Sequence, residues 1–128
     1  MSRGLPDQLC EGPNLAGYAI YHNDHFHHLQ INGRLVHLSP TEYRLCMRLL
    51  RHFEKLQQQA HAAHSMSEAP DVYVSFEELQ HCADLAERRH VIRHVSNANG
   101  KLKVHGITIL CVGECGYTLH FQRSSGEF

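Results

Sequence analysis

Hydrophobic and polar positions divide the chain into stretches of different period. Tyr18, Ala19, Ile20 and Tyr21 form an apolar run, His22-Asn23-Asp24 offers turn residues, and residues 25–31 make a second run. Asn32-Gly33 follows; both residue types tolerate positive φ, so the pair predicts a tight hairpin into residues 34–38. Alternation there puts Leu35 and His37 on one face, Val36 and Leu38 on the other. Ser39-Pro40-Thr41-Glu42 then opens a helix: Ser39 can cap, Pro40 suits the first helical position, and Glu42 completes a capping box. Cys46, Leu49, Leu50 and Phe53 recur at i, i+3, i+4, i+7, and the predicted helix covers 39–64. Tyr73-Val74 reads as a short strand. Ser75-x-x-Glu78 is a second capping box, opening a helix over 75–83.

A third helix is expected over 85–102. Its apolar stripe is Val91, Val95, Ala98 and Leu102, spaced 4, 3, 4, and its opposite face carries Arg89, Arg93, Ser96, Asn97 and Gly100. Beyond Gly106, the ITILCV and YTLHF runs flank Gly113-Glu114-Cys115-Gly116, which predicts a hairpin over 107–121. Residues 1–16 carry Gly4, Pro6, Gly12 and Pro13 without period and are expected to form a flexible tail; 123–128 form a second tail. The order predicts one α+β domain over 17–122: an N-terminal antiparallel β-sheet (17–38), a three-helix core and a C-terminal β-hairpin wing. That is the winged helix-turn-helix arrangement, with 85–102 in the place of the recognition helix. Val91, Val95, Ala98 and Leu102 should face inward, and Tyr117 and Leu119 should pack the wing on the helices.

Charge sharpens this picture. The 128 residues carry 12 Lys+Arg against 13 Asp+Glu, a formal −1 with histidine neutral. The balance is unevenly spread. Between Glu68 and Glu87 there are six acids and no base; between Arg88 and Gly113 there are five bases (Arg88, Arg89, Arg93, Lys101, Lys103) and no acid. Such a change of sign within one domain fits a face made for a polyanion, or ion pairing between neighbouring helices. Thirteen histidines add a pH response. With imidazoles titrating near pH 6.5, roughly +3 charges at pH 7 become roughly +10 at pH 6. No stretch approaches the ~18 apolar residues of a membrane span, the N-terminus lacks a signal-peptide core, and the five cysteines are irregularly spaced. These features predict a cytoplasmic protein with reduced thiols and no membrane contact.

The runs Gly33-Arg34-Leu35-Val36-His37-Leu38-Ser39-Pro40-Thr41-Glu42-Tyr43, Val74-Ser75-Phe76-Glu77-Glu78-Leu79, Val91 to Leu102, and Val112-Gly113-Glu114-Cys115-Gly116-Tyr117 resemble the OmpR/PhoB-type winged-helix domain. That domain is the C-terminal DNA-binding effector of many response regulators. The resemblance spans about Tyr18 to Phe121. It implies a four-stranded N-terminal sheet, a third helix in the major groove and a wing at the minor groove. The chain departs from the family at several points. Where members usually carry arginines late in the recognition helix it has Ser96, Asn97 and Asn99. Gly113 and Glu114 stand where the wing commonly begins with Arg. Residues 83–87 make a short loop in the place where the family often meets RNA polymerase. An insertion follows the first helix, roughly 56–71, and the chain carries no receiver domain.

Duplex DNA is therefore the expected partner, with Arg88, Arg89, His90, Arg93, His94, Ser96, Asn97, Lys101 and Lys103 as the candidate contacts. Arg89 and Arg93 lie one turn apart and can hold a phosphate or a guanine edge; Asn97 can pair bidentately with adenine. Protonated His94 can donate to phosphate, and Lys101 and Lys103 can anchor the backbone. Arg44, Arg48 and Arg51 on the first helix add positive charge. RNA polymerase, another regulator or a second copy are further expected partners, the last through small residues Ala60, Ala62 and Ala63. The competing reading is a winged helix turned to protein interaction, with the arginines merely solvated. Histidine pairs (His22/His25/His27/His28, His61/His64, His90/His94) and Cys111/Cys115 lack the spacing that makes a metal assignment specific, so no metal or cofactor is expected. Cys46 on the apolar stripe reads as packing. No nucleophile elbow, phosphate loop or nucleotide fingerprint is present, which argues against an enzyme.

Histidine placement generates one prediction. His90 and His94 fall on the basic helix, with His52 and His105 expected nearby. Phosphate stabilises an imidazolium, so binding takes up protons and DNA affinity should rise between pH 7.5 and pH 6, by on the order of 1 kcal/mol for two histidines shifted by about half a unit each. A metal-dependent complex would weaken instead, because ligating imidazole is neutral. Affinities at both pH values, with and without chelator, separate the two; a flat profile removes the histidines from the contact surface.

Overall fold

The computed structural model describes residues 10–15, 17–61 and 72–122. Two antiparallel sheets flank three helices. The first sheet has strand order β1 (Cys10–Leu15), β2 (Tyr18–Asn23), β3 (His28–Ile31), β4 (Arg34–His37). Then come α1 (Pro40–His61), β5 (Val74–Ser75), α2 (Phe76–Cys82) and α3 (Arg88–Leu102), a short 3₁₀ turn (Lys103–His105), and β6 (Ile107–Val112) with β7 (Gly116–Phe121). The second sheet is ordered β5-β7-β6.

The turns explain the first sheet. Asn32 and Gly33 take φ of 49° and 87°, as the β3–β4 hairpin requires. Asn32 also reaches sideways: its Oδ1 accepts from Ala19 N at 2.9 Å and its own N donates to Ala19 O at 2.9 Å, which locks the turn against β2. The β2–β3 connection is longer than the sequence pattern predicts. His25 to His27 do not extend β3; they form a turn in which buried Asn23 Oδ1 accepts from His25 N and Phe26 N, each at 2.9 Å. His25 and His27 therefore do not share a strand face. The expected N-terminal tail also needs correction. Residues 10–15 form β1, paired with β2 from Cys10↔His22 to Leu15↔Tyr18, with an irregularity between Glu11 and Asn14. Gly12 and Pro13 fall in that irregularity, where a strand tolerates an unpaired residue. The far ends expected as tails, residues 1–9 and 123–128, lie outside the described residues.

Capping decides the helix starts. Ser39 Oγ accepts from Glu42 N at 3.1 Å while Glu42 Oε1 accepts from Ser39 N at 2.9 Å, a complete capping box at the head of α1. The second box is half made. Ser75 Oγ accepts from Glu78 N at 3.1 Å, but the Glu78 carboxylate turns to Arg48 at 2.9 Å instead of reaching back to Ser75 N. The third helix starts at Arg88 rather than 85. Asp84 adopts φ 57°, Leu85 N bonds back to Gln80 O at 2.8 Å, and the chain straightens only at Glu87. Residues 62–64, expected to end the first helix, are outside the described residues.

The core lies between the first sheet, the helices and the hairpin. Ile20, Leu29, Ile31 and Val36 meet Leu45, Cys46, Leu49 and Leu50 of α1; Val91, Val95, Ala98 and Leu102 are all buried, as the 4-3-4 spacing predicts. Tyr117 and Leu119 bury the hairpin on this core. Tyr18 fastens the first sheet to the base of the hairpin: its hydroxyl donates to Gln122 O at 2.7 Å and its ring meets Phe121 edge-on at 5.1 Å. Cys46 is packing, and burial pushes its thiol up to about 12. No helix among the described residues is long and apolar enough to cross a membrane.

Gly116 is the tightest point of the second sheet. A Cβ there would overlap the Val74 carbonyl. Gly116→Ala should destabilise the fold by about 1–3 kcal/mol, read as a lower urea midpoint at unchanged slope. An unchanged midpoint would mean that β5 does not press on β7.

Candidate nucleic-acid interface

An α-helix that buries one stripe must present the other, and α3 presents its basic one. Arg88, Arg89, Arg93, Ser96, Asn97, Gly100, Lys101 and Lys103 are exposed; His90 and His94 are half-buried along its flank. Their freedom differs. The Arg88 guanidinium lies 4.3 Å from the ring centroid of Phe76 at the start of α2, a cation–π contact that fixes the two helix starts together. Arg89 Nε reaches Glu87 Oε1 at 2.6 Å, but the Arg89 side chain is 77% exposed, so this pair holds little in water. Arg93, Ser96 and Asn97 have no side-chain hydrogen bond or ion pair among those described, and they follow one another around one face of the helix.

Lys101 has a partner within the fold. Its Nζ sits 2.6 Å from Glu42 Oε1, the same oxygen that caps α1. Burial pushes the Glu42 carboxyl up; the Lys101 ammonium, the Ser39 N–H and the charge of His94 outweigh it and hold the group below its ordinary value. Lys101 is thereby a positioning residue that ties the end of α3 to the head of α1. Asn99 does the same toward the hairpin: its Oδ1 accepts from Ile109 N at 2.8 Å, so β6 grows from the back of α3.

The pattern missed one member of the face. Ile92 is 45% exposed beside Arg88, Arg89 and Ser96. It lies next to the buried stripe in sequence but off its 4-3-4 spacing, and that offset was the available signal. The hairpin tip supplies no cation. Gly113, Glu114 and Cys115 are exposed there, and Glu114 is the tip's one charged side chain.

Other expected contributors lie elsewhere. His52 is buried on α1 and does not reach a phosphate at the α3 surface. Arg44, Arg48 and Arg51 face away from the core that α1 shares with α3, so they do not extend the α3 surface. Among the described residues no group of three or more His, Cys, Asp or Glu side chains could hold a metal ion. His28 and His37 meet edge-on at 5.3 Å; burial and the charge of His37 push the His28 imidazole below its usual range. Cys111 and Cys115 are exposed and unbridged, and Cys111 Sγ bonds to Gly113 O at 3.1 Å. Residues 62–71 of the insertion, with Ala62, Ala63 and His64, are outside the described residues. No protein-family model matches the chain, and no curated protein matches it.

Glu42 gives a pH prediction. Its folded value is depressed, so its stabilisation is complete above the ordinary carboxylate range, near pH 4.5, and is lost as pH falls through the lower folded value. Glu42→Gln should flatten the acid limb of the stability profile. Lys101→Ala should cost about 1–3 kcal/mol at neutral pH by leaving a buried carboxylate without its counter-charge. Denaturant titrations at pH 3.5 and pH 7 check both; identical acid limbs in wild type and Glu42→Gln would remove Glu42 from the linkage.

Proposed function

We propose that the chain is a DNA-binding transcriptional regulator in which the three helices and the β6–β7 hairpin form a winged helix-turn-helix of the OmpR/PhoB type. The observation that carries the reading is the solvent face of α3, where Arg89, Arg93, Ser96 and Asn97 stand exposed together on a segment without a single acid from Arg88 to Gly113. Duplex recognition needs cations for phosphate and planar donors for base edges, and this face offers both. Arg93 and Asn97 are the residues for base edges, with Ile92 placed to meet a thymine methyl. Lys103 and Arg89 serve the phosphates, and Arg88 and Lys101 set the helix in place. A second copy on a neighbouring half-site, and RNA polymerase or another regulator, are the protein partners such a molecule would meet in the cytoplasm.

Two observations favour a second reading, a winged helix used for protein interaction. Ile92 is an exposed aliphatic side chain at the edge of the face, and Glu114 puts negative charge at the hairpin tip.

Salt separates the two. Binding to random-sequence duplex should weaken steeply with added salt, since each neutralised phosphate releases counterion. Arg93→Ala should cost about 1–3 kcal/mol on a selected sequence. Unchanged duplex affinity in the Arg89→Ala/Arg93→Ala double variant would reject this surface and leave the protein-interaction reading.

A further inference from the structure

Three arginines of α1 line a cleft on a different side of the molecule. Successive helical residues advance by about 100°, so Arg44, Arg48 and Arg51 fall within about 60° of one another, roughly opposite Cys46 and Leu49 of the core stripe. With Asp24 from the β2–β3 turn, Tyr43 and Met47 from α1, and Cys82 from the end of α2, they enclose about 260 Å³. That is just under the range of about 300–1,000 Å³ for small-molecule pockets, a size for a metabolite.

The lining carries three guanidinium groups and one carboxylate. Arg48 is set by Glu78 at 2.9 Å, which leaves Arg44 and Arg51 as exposed guanidinium forks at the cleft. Asp24 lines the same cleft, near enough to Arg51 for that charge to act on its carboxyl. Its Oδ1 accepts from the Tyr43 hydroxyl and contacts His22 Nδ1 at 3.1 Å, so the carboxylate is held in place with its Oδ2 turned to no other described hydrogen bond. The Tyr43 hydroxyl bond lowers its titration most, against burial, and His22 and the Arg51 charge add to the lowering. Tyr43 and Met47 add apolar area to the lining. Guanidinium forks match the oxygens of a phosphoryl group, and a fixed carboxylate accepts from hydroxyls and repels a second anion.

We propose that this cleft binds a small hydroxylated organic phosphate, of the class of sugar phosphates, with Arg44 and Arg51 on the phosphoryl group and Asp24 accepting from a hydroxyl. The site does not depend on the DNA reading, because its residues and those of the α3 face are disjoint.

Titration of ribose 5-phosphate and, separately, pyrophosphate into the ¹⁵N-labelled 128-residue chain tests it. Ribose 5-phosphate should give saturable amide shifts confined to the Tyr43–Arg51 stretch, Asp24 and Cys82. Affinity should fall at least tenfold in Arg44→Ala and in Arg51→Ala, fall less in Arg51→Lys, and hold in Arg34→Ala, an exposed cation on β4. Asp24→Asn should weaken ribose 5-phosphate and not pyrophosphate. Circular dichroism confirms that each variant is folded. Absence of saturable shifts with ribose 5-phosphate overturns the proposal, as does an equal loss in Arg34→Ala, which would mean diffuse attraction. Binding of pyrophosphate alone would reject the hydroxylated ligand. Displacement of ribose 5-phosphate by a short duplex would assign the cleft to nucleic-acid phosphates instead.

Discussion

Glu42 is a carboxylate with only 6% of its side chain exposed, and two donors share one of its oxygens: the Ser39 N–H that starts α1 and the Lys101 ammonium that ends α3. A charge so far from water is costly unless it is both paired and hydrogen-bonded. Here both conditions are met by residues 59 positions apart, and the consequence is geometric. The head of the longest helix and the tail of the basic one are held at a fixed separation, and the first sheet, which leads directly into Ser39 through Leu38, is carried with them.

The α3 surface is a product of that constraint together with two others. Asn99 joins the back of α3 to β6, and Arg88 lies over Phe76 at the opening of α2. These contacts use the polar residues at the rim of the helix, while Val91, Val95, Ala98 and Leu102 fill the core. What remains toward solvent is the run Arg89, Ile92, Arg93, Ser96, Asn97. Side chains held on a rigid helix with their bases already fixed lose less freedom on meeting a partner, which favours binding by this face over binding by a loop. The α1 arginines stand apart because α1 turns its apolar stripe to the same core from another direction.

Local chemistry was legible in the sequence. Asn32-Gly33, the Ser39–Glu42 box and the 4-3-4 stripe of α3 each depend on neighbours within one turn, so residue type and spacing suffice. Long-range partners were not. Nothing in the spacing of Lys101 shows that it would meet Glu42 rather than solvent. Glu78 could not be known to abandon its capping role for Arg48. The strand at residues 10–15 was hidden because Gly12 and Pro13 are turn residues by type, and only the β-irregularity opposite β2 accommodates them. The cleft beside α1 was invisible for the same reason: Asp24 and Cys82 reach it from elements distant in sequence. On the candidate surface, helix and face were readable, while the sorting of its cations into free and committed groups needed the fold.

A map of amide shifts, taken as a short duplex is added to the labelled chain at low salt, tests the α3 face as the binding surface. Shifts should concentrate at the amides of Arg89, Ile92, Arg93, Ser96 and Asn97 and at Lys103, while Arg44, Arg48 and Arg51 stay unmoved. Shifts centred on α1, or none along α3 at saturating duplex, would contradict that assignment.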